Sequence, residues 1–157
     1  MEEARATIET TMGTIIVRLF EQQAPRTVAS FVGLATGETA GRPAFDGTRF
    51  HRVIPNFMIQ AGDGPSYEND GGFQFEVEPA STQRFDRPGL VAAANVGCQW
   101  FITEVAAPHL NRRHTVFGEV MKGFEIVPKI ARKPVGDDGA PIDPVVIHRV
   151  SISRGAA

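Results

Sequence analysis

From Gly37 to about residue 120 the chain is written in short apolar runs cut by Gly, Pro, Asn and Asp, as in FDGTRFHRVIPNFMIQAGDGP and ENDGGFQFEVEP. Runs of that length, closed at both ends by turn-forming residues, specify short strands and leave little room for long helices. The flanks agree. Residues 6–20 (ATIETTMGTIIVRLF) read as two strands joined at Met12-Gly13, with Ile15, Val17 and Leu19 on one face by the two-residue period. Pro25 suits a first helical turn, Val28, Phe31, Val32 and Ala35 recur at helical spacing, and Gly37 supplies a stop. A second short helix is expected at 122–131 (KGFEIVPKIA), with Pro128 in its first turn or bending it. In DPVVIHRVSIS, Val146, His148, Val150 and Ile152 alternate with Val145, Ile147 and Arg149, which predicts a closing strand. Many short strands, two helices and no strand-helix alternation predict a mainly β protein, a closed or nearly closed antiparallel β-barrel.

No repeat, low-complexity tract or linker divides the 157 residues, so one domain spanning 1–157 is expected. The 16 basic residues stand against 18 acidic ones, and a net charge of -2 provides no broad field for nucleic acid or an acidic membrane. Balanced charge on a small domain predicts a monomer. Cys98 is the single cysteine, so no internal disulfide forms and a reducing compartment fits. The opening MEEARATIET is acidic, lacks an apolar stretch of signal-peptide length, and no membrane-spanning apolar run follows, so a cytoplasmic location is expected.

The densest chemistry lies in 50–62, FHRVIPNFMIQAG, where Phe50, Arg52 and Ile54 should share one strand face, and Met58 and Gln60 another after the Pro55-Asn56 break. An arginine inside an apolar run fits a rim residue whose stem covers core surface as well as it fits a site. In 90–102, LVAAANVGCQWFI, the period places Gln99 with Phe101 and Trp100 with Ile102. One of those faces is core, and the other is either core or a groove; spacing does not choose. His51 falls on the face opposite Arg52 and reads as structural, and His148 has no evident partner. His109 and His114 are five apart, which matches no recognised zinc spacing. Ser30, Ser66 and Ser81 lack the setting of a hydrolase nucleophile, and Gly71-Gly72 reads as a tight turn.

FDGTRFHRVIPNFMIQAGD, then AAANVG and QWFIT, then HTVFGEV resemble the cyclophilin family in order and separation, over roughly residues 6–153. The resemblance implies a closed eight-stranded antiparallel barrel capped by two helices, with a substrate groove on the outside of the barrel. It implies peptidyl-prolyl cis-trans isomerase activity, a rotamase reaction with no covalent intermediate, metal or cofactor. Matched motif by motif, the catalytic residues would be Arg52 and Gln60. Phe57, Met58, Ala94, Asn95, Gln99, Phe101, His109, Leu110 and His114 would bind substrate. The expected partners are proline-containing peptides and unfolded or flexible protein segments, and the expected task is to speed slow folding steps.

This chain departs from the family at two places. ANVGCQWF is several residues shorter than the usual Gly/Asn-rich loop, which shapes the groove wall. His109 stands where many eukaryotic members carry Trp, an indole important for cyclosporin, so weak cyclosporin binding with retained turnover is expected. Oxidation of Cys98, beside Gln99, would perturb the groove if the thiol were reachable; an inert thiol is the simpler expectation. Two other functions compete: a proline-peptide binding module without turnover, and a metal-assisted hydrolase with clustered histidines.

Overall fold

The computed structural model describes residues 3–62, 84–94, 98–111 and 113–154. Among these, eight strands form one antiparallel sheet: β1 (Arg5–Thr10), β2 (Gly13–Leu19), β3 (Arg52–Ile54), β4 (Met58–Ala61), β5 (Leu90–Ala93), β6 (Trp100–Thr103), β7 (Val116–Lys122) and β8 (Ile147–Ser153). Their spatial order is β3-β4-β6-β5-β7-β2-β1-β8. The sheet curls until its two edges meet, but β3 and β8 share no ladder. An isolated Arg49–Val146 bridge closes the seam, with bonds from Phe50 N to Val145 O and from Ile147 N to Thr48 O. The barrel is therefore seamed where a fully closed one was expected, and its class is as expected.

The first helix arises where the periodicity placed it, and the second lies within its expected segment but starts later. Helix α1 (Pro25–Thr36) starts on Pro25 and ends at Gly37, whose φ of 93° is the left-handed conformation that glycine adopts without steric cost. It sends Phe31 into the barrel, where its ring lies 5.2 Å from Phe117 and 5.6 Å from Trp100. Helix α2 is Ile126–Ala131 and begins later than 122, because β7 holds its pairing through Lys122 and the chain turns at Gly123. Pro128 falls in its first turn, where no amide bond is lost. Ile126, Val127, Ile130 and Ala131 join the same interior as α1.

Strict alternation fails in two places. At the foot of β8 the register against β1 shifts between Glu9 and Thr10, so Ile147 and Val150 are both buried while His148 is exposed. A bulge inserts one residue there and inverts the face that the sequence pattern assigned. Phe50 likewise does not share the face of Arg52. It precedes β3, bonds to Val145 across the seam, and is fully buried against Trp100.

The sheet carries apolar side chains on both faces. Val53, Ile59, Ile102 and Val91 pair in register across β3, β4, β6 and β5 and point into the interior cluster. A separate cluster of Phe20, Met58, Phe85, Leu90, Ala92, Phe101, Ala107 and Val116 lies on the opposite face. The four residues of β4, of β5 and of β6 are consequently buried throughout.

Candidate functional site

Strand register builds the site. Arg52 pairs with Gln60, Gln60 with Phe101, and Phe101 with Ala92, so an arginine, a glutamine and a phenylalanine stand abreast on β3, β4 and β6. A slip of one residue would send all three inward and the Val53 row outward. Opposite Cβ atoms lie about 5 Å apart, close enough for direct contact. Arg52 Nη1 donates to Gln60 Oε1 at 3.2 Å, and Gln60 Nε2 donates to Gln99 Oε1 at 2.6 Å. His51 Nε2 lies 3.1 Å from the same Gln99 oxygen. Four polar side chains thus form one chain of bonds, with Arg52 at its exposed end and Gln60 buried.

Beside this chain lies a pocket of about 180 Å³ lined by Arg52, Phe57, Met58, Gln60, Ala94, Phe101, Leu110 and His114. Phe101 forms the floor. It is 4% exposed, stacks on Phe85 at 6.0 Å and takes the His114 ring edge-on at 5.3 Å. It is at once core and groove, because the outer apolar cluster ends at the pocket. His114 Nδ1 sits 2.9 Å from Ala93 O, so that nitrogen carries the proton and donates. Leu110 closes a 3-10 turn, Pro108–Leu110, and His109 on that turn is exposed.

All eight lining residues were expected from the motifs. Gln99 stands behind the pocket, bonded to Gln60, while His109 lies outside the lining and packs its ring against Phe57 at 5.7 Å. Asn95 falls outside the described residues, as do Ser66, Ser81 and Gly71-Gly72. His51 was set aside as structural on alternation. It precedes β3, its amide bonds to Gln60 O at 3.0 Å, and its ring reaches Gln99. Glu104 was passed over altogether, although a carboxylate directly after the strand segment QWFIT was a signal of a kind. Among the described residues no group of three or more His, Cys, Asp or Glu could hold a metal ion.

The described ends of this shortened segment are bonded to each other and to the exit of β4. Ala94 N donates to Gln99 O at 3.0 Å, and Cys98 is buried with its Sγ donating to Gly62 O at 3.5 Å. Gly62 has φ 96°, and a Cβ there would stand 2.5 Å from Cys98 O, so no other residue fits without moving the loop. Burial of the thiol fits the inert expectation for Cys98.

Residues 5–152 match the family model described as cyclophilin type peptidyl-prolyl cis-trans isomerase/CLD. The chain belongs to this family. It is 43% identical over 168 residues to the probable peptidyl-prolyl cis-trans isomerase A of Mycobacterium bovis, covering 96% of this chain and 92% of that protein. Peptidyl-prolyl cis-trans isomerase 9 of Caenorhabditis elegans is 38% identical over 88% of this chain and 50% of its own length. A cyclophilin type isomerase of Cryptosporidium parvum superposes with a TM-score of 0.80 at 26% identity, over 99% of this chain and 100% of that one. A second crystal structure of the same Cryptosporidium cyclophilin, obtained in the presence of the dipeptide Ala-Pro, gives 0.79 at 28% identity over 95% and 98%.

Proposed function

We propose that this chain is an active, cofactor-independent peptidyl-prolyl cis-trans isomerase of exposed X-Pro bonds in peptides and flexible protein segments, working as one monomeric domain. The observation that carries this reading is the row of Arg52, Gln60 and Phe101, which sets a tethered guanidinium at the edge of an apolar pocket. Rotation about X-Pro is slow because amide resonance must be broken, a barrier of about 18–20 kcal/mol. No bond to a substrate atom is made or cleaved. The catalyst needs only to bind the twisted amide more strongly than either planar isomer. An acceleration of about a hundred thousandfold corresponds to roughly 7 kcal/mol of such preference.

Arg52 would hold the proline carbonyl and donate to the amide nitrogen, whose lone pair becomes an acceptor only when the amide twists. A charge-assisted bond contributes about 1.5–3 kcal/mol net, so Arg52 supplies a part and the pocket the remainder. Phe57, Met58, Phe101 and Leu110 would fix the proline ring while the preceding residue turns. Their low polarity disfavours the charge-separated planar amide. Gln60 would aim the guanidinium, His114 would wall the pocket, and the Asn95 backbone would pair with the substrate chain as an added edge.

The test is cis-trans exchange of an Ala-Pro peptide followed by NMR with wild type and Arg52→Ala, each with and without chelator. Catalysed exchange by wild type, unaffected by chelator and reduced about ten- to a hundredfold in Arg52→Ala, is expected from the loss of one charge-assisted bond. Wild-type exchange no faster than buffer would leave a proline-binding module in its place.

A further inference from the structure

We propose that Glu104 is a positioning residue that holds Phe57, and with it one wall of the proline pocket, in place through the turn between β3 and β4. The inference rests on the isomerase function proposed above. Pro55 and Asn56 form that turn, closed by Phe57 N donating to Ile54 O at 3.1 Å. Asn56 has φ 62° and, among the described residues, is the only non-glycine with positive φ. A turn with proline second and a left-handed third residue leaves the third amide pointing away from its own chain. Here that amide donates to Glu104 Oε1 at 2.8 Å.

Glu104 grips the next residue as well, since its own amide donates to Phe57 O at 2.8 Å. Its other carboxylate oxygen lies 2.6 Å from Arg132 Nη1, and Arg132 Nη2 returns to Asn56 Oδ1 at 3.1 Å. Arg132 follows α2 and also donates to Pro128 O. The Glu104 side chain is 8% exposed. Burying a carboxylate is costly unless it is paired and hydrogen-bonded, and here the turn supplies one donor and the helix end the other. Phe57 is thereby anchored on both sides: Asn56 before it by side-chain bonds, and its own carbonyl by backbone. His109, exposed on its 3-10 turn, rests its ring on Phe57 and would move with it.

Removing a surface-charge pair alone would lower stability and leave the turnover of folded molecules unchanged. A positioning role predicts more. In Glu104→Ala, kcat/KM per folded molecule for an Ala-Pro peptide falls about tenfold, since a displaced Phe57 loses part of its apolar contact with the proline ring. The loss should fall mainly on KM, because Phe57 contacts the proline ring in all isomers. In the same variant the His109 imidazole protons lose the ring-current shift from Phe57, which NMR reads without turnover. Glu104→Gln keeps an oxygen for the Asn56 amide and should retain kcat/KM within about twofold. Should Glu104→Ala fail to fold, Glu104→Asp carries the comparison, as it keeps a charge for Arg132 but is one methylene short of the Asn56 amide.

Wild-type kcat/KM in the alanine or aspartate variant overturns the proposal. So does a loss of turnover with the His109 resonances unmoved. Failure of wild type to catalyse exchange strikes the proposed function instead, and the His109 resonances then decide the positioning by themselves.

Discussion

Phe101 and Ile102 are neighbours on one strand, both buried, and face opposite ways: Phe101 into the outer cluster and pocket, Ile102 into the barrel. Truncating each to alanine separates the two faces. Ile102→Ala leaves an enclosed void and should cost about 4 kcal/mol, within the range for such deletions in rigid cores. Phe101→Ala loses more atoms and two ring contacts, with Phe85 and His114. Its void opens onto the pocket and admits water, which places it near 3 kcal/mol, the low end of the range for phenylalanine. Both variants should remain folded, because domains have about 5–15 kcal/mol in hand. Activity separates them. On the proposed function Phe101 would be the floor beneath the proline, and losing that apolar contact, about 1.5–3 kcal/mol, should cut kcat/KM roughly ten- to a hundredfold. Ile102→Ala should stay within about twofold per folded molecule, since it touches no pocket residue from the groove side. Urea unfolding at constant m-value gives the stabilities, and NMR exchange of an Ala-Pro peptide gives the rates. Equal losses of turnover in the two variants, or none in Phe101→Ala, would refute the assignment of faces.

Gln60→Ala should lower kcat/KM about tenfold by freeing the guanidinium, and combined with Arg52→Ala should add little; an additive double mutant would mean that Gln60 does not act through Arg52. Glu119 is pushed up by burial, but hydrogen bonds and attraction from Arg18 and Arg87 outweigh this and hold its carboxyl below the ordinary 4.5. Its folded value is depressed, so its stabilisation is complete above about 4.5 and fades as pH falls through the folded value. Glu119→Gln should therefore cost about 1 kcal/mol at neutral pH, small because both arginines are partly solvated, and the deficit should shrink on acidification in urea titrations at successive pH values; a growing deficit would contradict the sign. His109→Trp should tighten cyclosporin binding in a calorimetric titration, since an indole on this exposed turn presents more apolar surface than imidazole; unchanged affinity would place the determinant elsewhere.

Much of the site was legible because motif residues sit at fixed spacing on short strands. Arg52, Phe57, Met58, Gln60, Ala94, Phe101, Leu110 and His114 were all expected, and all line one pocket. What period alone left open was which face of β6 met the groove, and whether Phe101 was core. Both choices were too narrow, since a sheet with apolar clusters on either side makes Phe101 core and groove together. Alternation misled at Phe50 and His148, where a seam crossing and a bulge break the two-residue count.

Local pattern was enough for the strands, the first helix with its proline start and glycine stop, and the family to which the chain belongs. These depend on residues close along the chain, where backbone sterics and side-chain period act directly. Tertiary structure alone decided the transverse row of Arg52, Gln60 and Phe101, the reach of His51 to Gln99, and the hold of Glu104 on Asn56. The last two join residues 48 apart. Such contacts exist only once strand register and curl are set, and those follow from burying two apolar faces of one sheet together, which no short window of sequence contains.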